Sequence, residues 1–130
     1  MIVTILMGRE KSLGLPGKNI MPILGKPLMA YPLLAAKNCD LVDEIYVSTD
    51  GEEIKNIGRE LGAKIIDRPA ELCTAEALGE DVFVHAYQTL KNDQGIDVEM
   101  IVLLMANAAT VTPELIKEGI EALRKDESLD

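Results

Sequence analysis

A chain of 130 residues with a formal net charge of −9 suits one domain, able to bury roughly two-thirds of the surface it exposes unfolded. The acidic balance argues against a nucleic-acid backbone as partner, and no run reaches the ~18 apolar residues that a bilayer span needs. Cys39 and Cys73 have no metal-ligand spacing and read as reduced thiols of a cytoplasmic protein. A chain that opens Met1-Ile2-Val3 with strand character is not expected to carry a cleaved signal peptide.

Ile2 to Met7 is an uninterrupted apolar run, the pattern of a strand buried on both faces. It gives way to a segment holding the glycines Gly8, Gly14 and Gly17, the proline Pro16, and the cations Arg9, Lys11 and Lys18. Glycines let consecutive backbone N–H groups converge on one anion. Arg9 and Lys18 add full charges, and in an acidic molecule an anion must be bound by such a local cluster. The segment reads as a loop that cradles the phosphates of a nucleotide. The structural alternative is a Gly/Pro-rich connection whose lysines are merely solvated. It is neither a P-loop nor the dinucleotide fingerprint, because Asn19 follows Lys18 and the glycine spacing fits neither pattern.

Gly25-Lys26-Pro27 leads into a helix expected from about Leu28 to Lys37, with Pro32 either in its first turn or at a slight kink. Glu44 to Ser48 is a second strand. After it, Asp50 is well placed as a helix N-cap with Glu53 as its capping-box partner, a structural role preferred over a catalytic one. A helix from Glu52 to Leu61 closes at Gly62, and Ala63 to Ile66 is a short third strand. Asp67 to Gly79 is irregular by pattern. A helix from about Glu80 to Leu90 then presents Val82, Phe83, Ala86, Tyr87 and Leu90 on one face. His85 lies beside that face and reads as a packed residue, not a ligand. Asn92 to Gly95 is a turn, Met100 to Met105 a fourth strand, and Ala106 to Val111 the loop after it. Thr112 caps a last helix that starts at Pro113 and runs to about Lys125, its basic end suited to the helix dipole.

Strands alternating with helices imply an α/β fold, a mostly parallel sheet with helices on both faces. Ligands of such sheets bind at the carboxyl ends of the strands. The glycine-rich loop, Thr49-Asp50, the Arg68 segment and the Ala106–Val111 loop all fall at those ends and are expected to share one crevice.

The order of residues in the first loop resembles the N-terminal signature of the acylneuraminate cytidylyltransferases, which typically reads Ala-Arg-Gly-Gly-Ser-Lys-Gly-Ile-Pro-x-Lys-Asn. Arg9, Ser12, Gly14, Pro16, Lys18 and Asn19 fall in register with it, while Leu13 stands where a cation is usual. The resemblance continues at Val47-Ser48-Thr49-Asp50, at Arg68-Pro69-Ala70-Glu71-Leu72, and at Asp81-Val82 with His85-Ala86. It implies a nucleotide-diphospho-sugar transferase (Rossmann-like) sandwich, with residues 1–130 as the nucleotide-binding N-terminal part of a cytidylyltransferase domain. It further implies transfer of CMP from CTP to an acidic sugar such as a nonulosonic acid. Arg9 and Lys18 would hold the triphosphate and serve catalysis. Gly8, Ser12, Gly14 and Asn19 would line the nucleotide, and Arg68 would reach the nucleoside from the opposite lip. Mg²⁺ is implied as cofactor, without identifiable ligands.

After the fourth strand the family's Gln-Pro-Thr-Ser-Pro-Leu-Arg is replaced by Met105-Ala106-Asn107-Ala108-Ala109-Thr110-Val111. Asn107 is the polar side chain left in the middle of that loop and is expected to face the acceptor sugar. Domains of that family continue further, so the sequence reads as either an N-terminal half or a natural short form; for a half, a sheet edge is expected to stay open and to favour a homo-oligomer. Two other functions fit the same residues: a sugar nucleotidylyltransferase using another base, and a non-catalytic nucleotide-binding or assembly module.

Overall fold

The apolar run Ile2–Met7 forms strand β1, and every one of its residues is buried. The computed structural model describes residues 1–8, 18–73, 79–93, 95–126 and 128, the side chains of Lys18 and Asp93 excepted. Alternation along β1 sends Ile2 and Leu6 to one face and Val3, Ile5 and Met7 to the other. After β1 the chain makes a 3₁₀ turn at Lys18–Ile20 and then a small hairpin of β2 (Pro22–Ile23) and β3 (Lys26–Pro27). Its tip is Leu24-Gly25, with φ of 49° and 86°. Helix α1 covers Ala30–Lys37. Pro32 sits in its first turn, where no intrahelical N–H bond is due, so the early-position alternative holds.

Strand β4 (Glu44–Thr49), helix α2 (Glu52–Glu60) and strand β5 (Lys64–Asp67) follow. Helix α3 (Gly79–Gln88) continues as a π-helical turn over Thr89–Asp93, where a simple turn was expected from Asn92. Strand β6 (Met100–Met105) and helix α4 (Pro113–Lys125) complete the described chain. Thr112 caps α4 as expected, its Oγ1 accepting from Leu115 N–H at 3.1 Å.

The sheet has the order β5-β4-β1-β6, all parallel, with Val3 opposite Glu44 on one side of β1 and Ile2 opposite Met100 on the other. Leu33 and Ala36 of α1, Ile54 of α2, and Ile116 and Ile120 of α4 pack with Ile2 and Leu6 on one face. Val82, Ala86 and Leu90, from α3 and the turn after it, cover Val3, Ile5 and Met7 on the other. Helices on both faces of a parallel sheet are the architecture the alternating pattern implied.

The N-cap of α2 is a correction. Gly51, not Asp50, holds the cap position, with φ −87° and ψ 128°, and no side chain caps the helix. Thr49 explains the shift. Its Oγ1 accepts the Gly51 N–H at 3.2 Å, so the turn is closed from inside the buried end of β4, and exposed Asp50 is left one residue before the cap. Glu53 consequently has no capping-box partner.

Among the described residues β6 pairs with β1 alone. Leu103 and Met105 on it are 43% and 50% exposed. A groove of about 290 Å³ between β6 and α4 is lined by Val102, Leu104, Val111, Leu115 and Ile116 among others. No helix among the described residues is long and apolar enough to cross a membrane.

One buried group in the central strand is at odds with its surroundings. Thr4 is fully buried and, among the described residues, its hydroxyl has no hydrogen-bond partner; by parity it shares the face of Ile2 and Leu6. Replacing an unsatisfied buried hydroxyl with a methyl of the same shape removes a desolvation cost. Thr4→Val is therefore expected to stabilise the fold by about 1 kcal/mol, measured as a higher urea midpoint with unchanged slope. A lower midpoint would show that the hydroxyl is satisfied.

Candidate functional site

The site is built where the order of the strands reverses. β1 is followed along the sheet by β4 and β5 on one side and by β6 on the other, and this is where parallel sheets open a crevice at their carboxyl ends. Gly8, the residue after β1, is buried there. Its N–H donates to the Ser48 carbonyl at 3.3 Å, and Ala106 N–H donates to the Met7 carbonyl at 3.1 Å. A Cβ on Gly8 would lie 3.0 Å from the Ala106 Cβ and 3.4 Å from the Asn19 side-chain nitrogen. A side chain here would press on neighbours from two directions, and Ala106 would have to give by a few tenths of an ångström, so glycine suits the position.

Asn19 reaches Gly8 because its own backbone is anchored. Its carbonyl accepts Met29 N–H, and Met21 carbonyl accepts Leu28 N–H, both at 2.9 Å. The 3₁₀ turn Lys18–Ile20 is thereby fixed to the entry of α1. Tyr31 on α1 donates its hydroxyl to the Ile23 carbonyl of the hairpin, and the Lys26 ammonium stands 6.0 Å over the Tyr31 ring.

On the other side of β1, Ser48 and Thr49 are fully buried polar residues at the end of β4. Arg68, only 9% exposed, folds back onto them. Its Nη2 donates to the Ser48 carbonyl at 2.9 Å and its Nε approaches Ser48 Oγ at 3.5 Å. Arg68 N–H donates to the Thr49 carbonyl at 3.1 Å. Just before it, Asp67 holds the Lys55 ammonium of α2 at 2.7 Å, and this hydrogen bond raises the lysine pKa above its ordinary value. Just after it, the Cys73 thiol lies 3.2 Å from the Pro69 carbonyl. Burial, followed by the Asp50 carboxylate, pushes that thiol up, with the Arg68 charge acting against them. Cys73 is therefore a thiol at neutral pH, not an activated nucleophile.

Of the residues singled out from sequence, the structure gathers Gly8, Asn19 and Arg68 around the carboxyl ends of β1 and β4. Asn107 is exposed, one residue beyond Ala106. Arg9, Ser12 and Gly14 lie outside the described residues, as does the side chain of Lys18. Ser48 was quoted only as part of a motif, yet it is the acceptor shared by Gly8 and Arg68. A serine ending a buried strand, in Val47-Ser48-Thr49-Asp50, was the available signal. His85 is half-buried on α3, and among the described residues its Nδ1 has no hydrogen-bond partner.

The described residues offer no ready-made ligand cluster for the implied Mg²⁺. No group of three or more His, Cys, Asp or Glu close enough to hold a metal occurs among the described residues. Asp67, at the end of β5, is already engaged by Lys55.

Comparison with known proteins agrees with this geometry. A family model described as Cytidylyltransferase matches residues 3–129. The chain is 30% identical over 125 residues to a pseudaminic acid cytidylyltransferase of Campylobacter jejuni, covering 95% of this chain and 53% of the relative. It is 32% identical over 123 residues to the CMP-N,N'-diacetyllegionaminic acid synthase of Legionella pneumophila, covering 92% and 52%. Among solved structures, a CMP:2-keto-3-deoxy-manno-octonic acid synthetase complexed with CTP superposes with a TM-score of 0.79 at 23% identity, over 98% of this chain and 49% of that one. The chain thus spans about half the length of these two relatives and of that structure. With its sheet order, the close approach at Gly8 where that order reverses, and a family match over nearly its whole length, the chain belongs to the cytidylyltransferase family.

Proposed function

We propose that this chain is the nucleotide-binding N-terminal part of an enzyme that transfers CMP from CTP to an acidic sugar of the nonulosonic-acid kind, releasing pyrophosphate. The observation that carries the proposal is the crowded Gly8 at the strand-order reversal, with the cationic segment 9–18 leaving directly from it. An acidic molecule offers a polyanion few other footholds.

In the reaction an acceptor hydroxyl oxygen attacks the α-phosphorus of CTP. The bond from that phosphorus to the bridging oxygen breaks, pyrophosphate departs with the electron pair, and the hydroxyl proton passes to solvent or a base. Charge grows on phosphoryl oxygens, so the protein's part is mostly positioning and electrostatic stabilisation. Arg9 and Lys18 would hold the triphosphate, Ser12 and the glycines Gly8 and Gly14 would line it, and Asn19 would sit toward the nucleoside. Arg68 belongs to the nucleotide side and Asn107 to the acceptor side. The family resemblance implies Mg²⁺, which would neutralise charge on the phosphates; the described residues hold no ready-made ligand cluster for it.

A cytoplasmic location is supported by Cys39 and Cys73, both free. A homo-oligomer is supported by the β6 edge, which has no second partner strand among the described residues, and by its apolar groove. Light scattering at high concentration is expected to show an assembly larger than one chain; a clean monomer would remove that part of the proposal.

The decisive measurement is pyrophosphate release from CTP, GTP, UTP and ATP with a panel of acidic sugars, with and without Mg²⁺. Release with CTP alone supports the proposal. Release with a different nucleotide selects another sugar nucleotidylyltransferase, and binding without release selects a non-catalytic module. A charge-assisted hydrogen bond is worth roughly 1.5–3 kcal/mol. Lys18→Ala is accordingly expected to weaken CTP binding by about one to two orders of magnitude, with a greater loss in turnover. Unchanged binding and turnover in that variant would overturn the assignment of the loop.

A further inference from the structure

β5 is a short strand that must bring Arg68 to the site from the border of the sheet. It has four residues, and among the described residues it pairs with β4 alone. Its last residue, Asp67, lies opposite Thr49, and Arg68 follows with its N–H on the Thr49 carbonyl at 3.1 Å. The end of a strand paired on one side only opens readily, so the placement of Arg68 depends on what else secures Asp67. Lys55 of α2 does this: its ammonium lies 2.7 Å from Asp67 Oδ1 and 3.4 Å from Glu52 Oε1.

Most surface lysines make poor anchors, because ordering a long side chain cancels much of what the ion pair gains. Lys55 differs. Its side chain is 13% exposed, against 82% for Asp67, so the stem is already packed and delivers the ammonium to one place. The helix beneath it is held closely as well. A Cβ on Gly58 would lie 3.1 Å from Val47 Cγ2 and 3.4 Å from Ile65 Cδ1, which sets α2 directly on β4 and β5. The same helix lies beside the 3₁₀ turn Lys18–Ile20 that carries Asn19. We propose that Lys55 is a positioning residue for nucleotide binding: through Asp67 it holds the end of β5 and so sets the place of Arg68 at the site. The proposal rests on the reading of Arg68 as a nucleotide-side residue.

A double-mutant cycle in the full chain tests this. Lys55→Met keeps most of the packed stem and removes the charge, and is expected to weaken CTP about fivefold in a calorimetric titration. Asp67→Asn is expected to match it, and the two together to be no worse than either. Arg68→Met weakens CTP on its own account. Adding Lys55→Met to Arg68→Met is expected to cost nothing further, since the lysine acts through the arginine. Amide exchange followed by NMR is expected to quicken about fivefold at Arg68 in Lys55→Met, with exchange at Ile5 of β1 unchanged.

Full CTP affinity in Lys55→Met would overturn the proposal, and so would losses at Lys55 and Arg68 that simply multiply, because the lysine would then act by another route. Unchanged exchange at Arg68 refutes it too, as does equal acceleration at Arg68 and Ile5, which reports general destabilisation. A parent chain that does not bind CTP would defeat the nucleotide reading, and this proposal with it. That failure is recognised in the parent alone, whereas a parent that binds CTP with an additive cycle refutes only the role of Lys55.

Discussion

The burial of β1 on both faces is the constraint on which the rest depends. A strand with no residue open to water must find every backbone partner in neighbouring strands and every side-chain partner in the flanking helices. β4 and β6 supply the first, in parallel register on either side. α1, α2 and α4 on one face and α3 on the other supply the second. Because all four strands run the same way, their carboxyl ends gather at one end of the sheet. The chain reverses its order there, between β1 and β6, the place where parallel sheets of this kind take their ligands.

The polar end of β4 carries this constraint into the site. Ser48 and Thr49 are buried where apolar residues would pack as well, and each has defined work. Thr49 closes the turn into α2 through the Gly51 amide and receives the Arg68 amide on its carbonyl. Ser48 receives Gly8 and the guanidinium. Buried polar groups are costly unless satisfied, and here satisfaction ties three chain segments into one junction. The cationic segment in sequence after Gly8 therefore starts from a fixed point.

Much of this was legible in sequence where local chemistry decides the outcome. Thr112-Pro113 named the start of α4, and the apolar runs Ile2–Met7 and Met100–Met105 named two parallel strands, of which only the first is buried throughout. Gly62, with φ of 86°, named the end of α2. Asp50 misled because its cap signal was local while the winning interaction came from Thr49, whose burial only the sheet determines. The hairpin at Pro22–Pro27 gave no periodic signal: its strands have two residues each, two of the four are prolines, and Leu24 adopts a positive φ that its side chain does not favour. The inward turn of Arg68 was illegible for the same reason as the cap, since it depends on the end of a strand twenty residues earlier. Its presence near the site could be read from the motif, but its direction could not.

The pairing of β1 with β6 has a consequence for how the molecule comes into being. Ile2 lies opposite Met100, so one flank of the central strand stays vacant until nearly the whole described chain has been synthesised. Contacts between residues so distant in sequence form slowly, since a large loop must close before any bond rewards it. During translation the oily leading segment is thus a natural client for a chaperone, and the nascent chain is most vulnerable to clumping before its latest strand emerges.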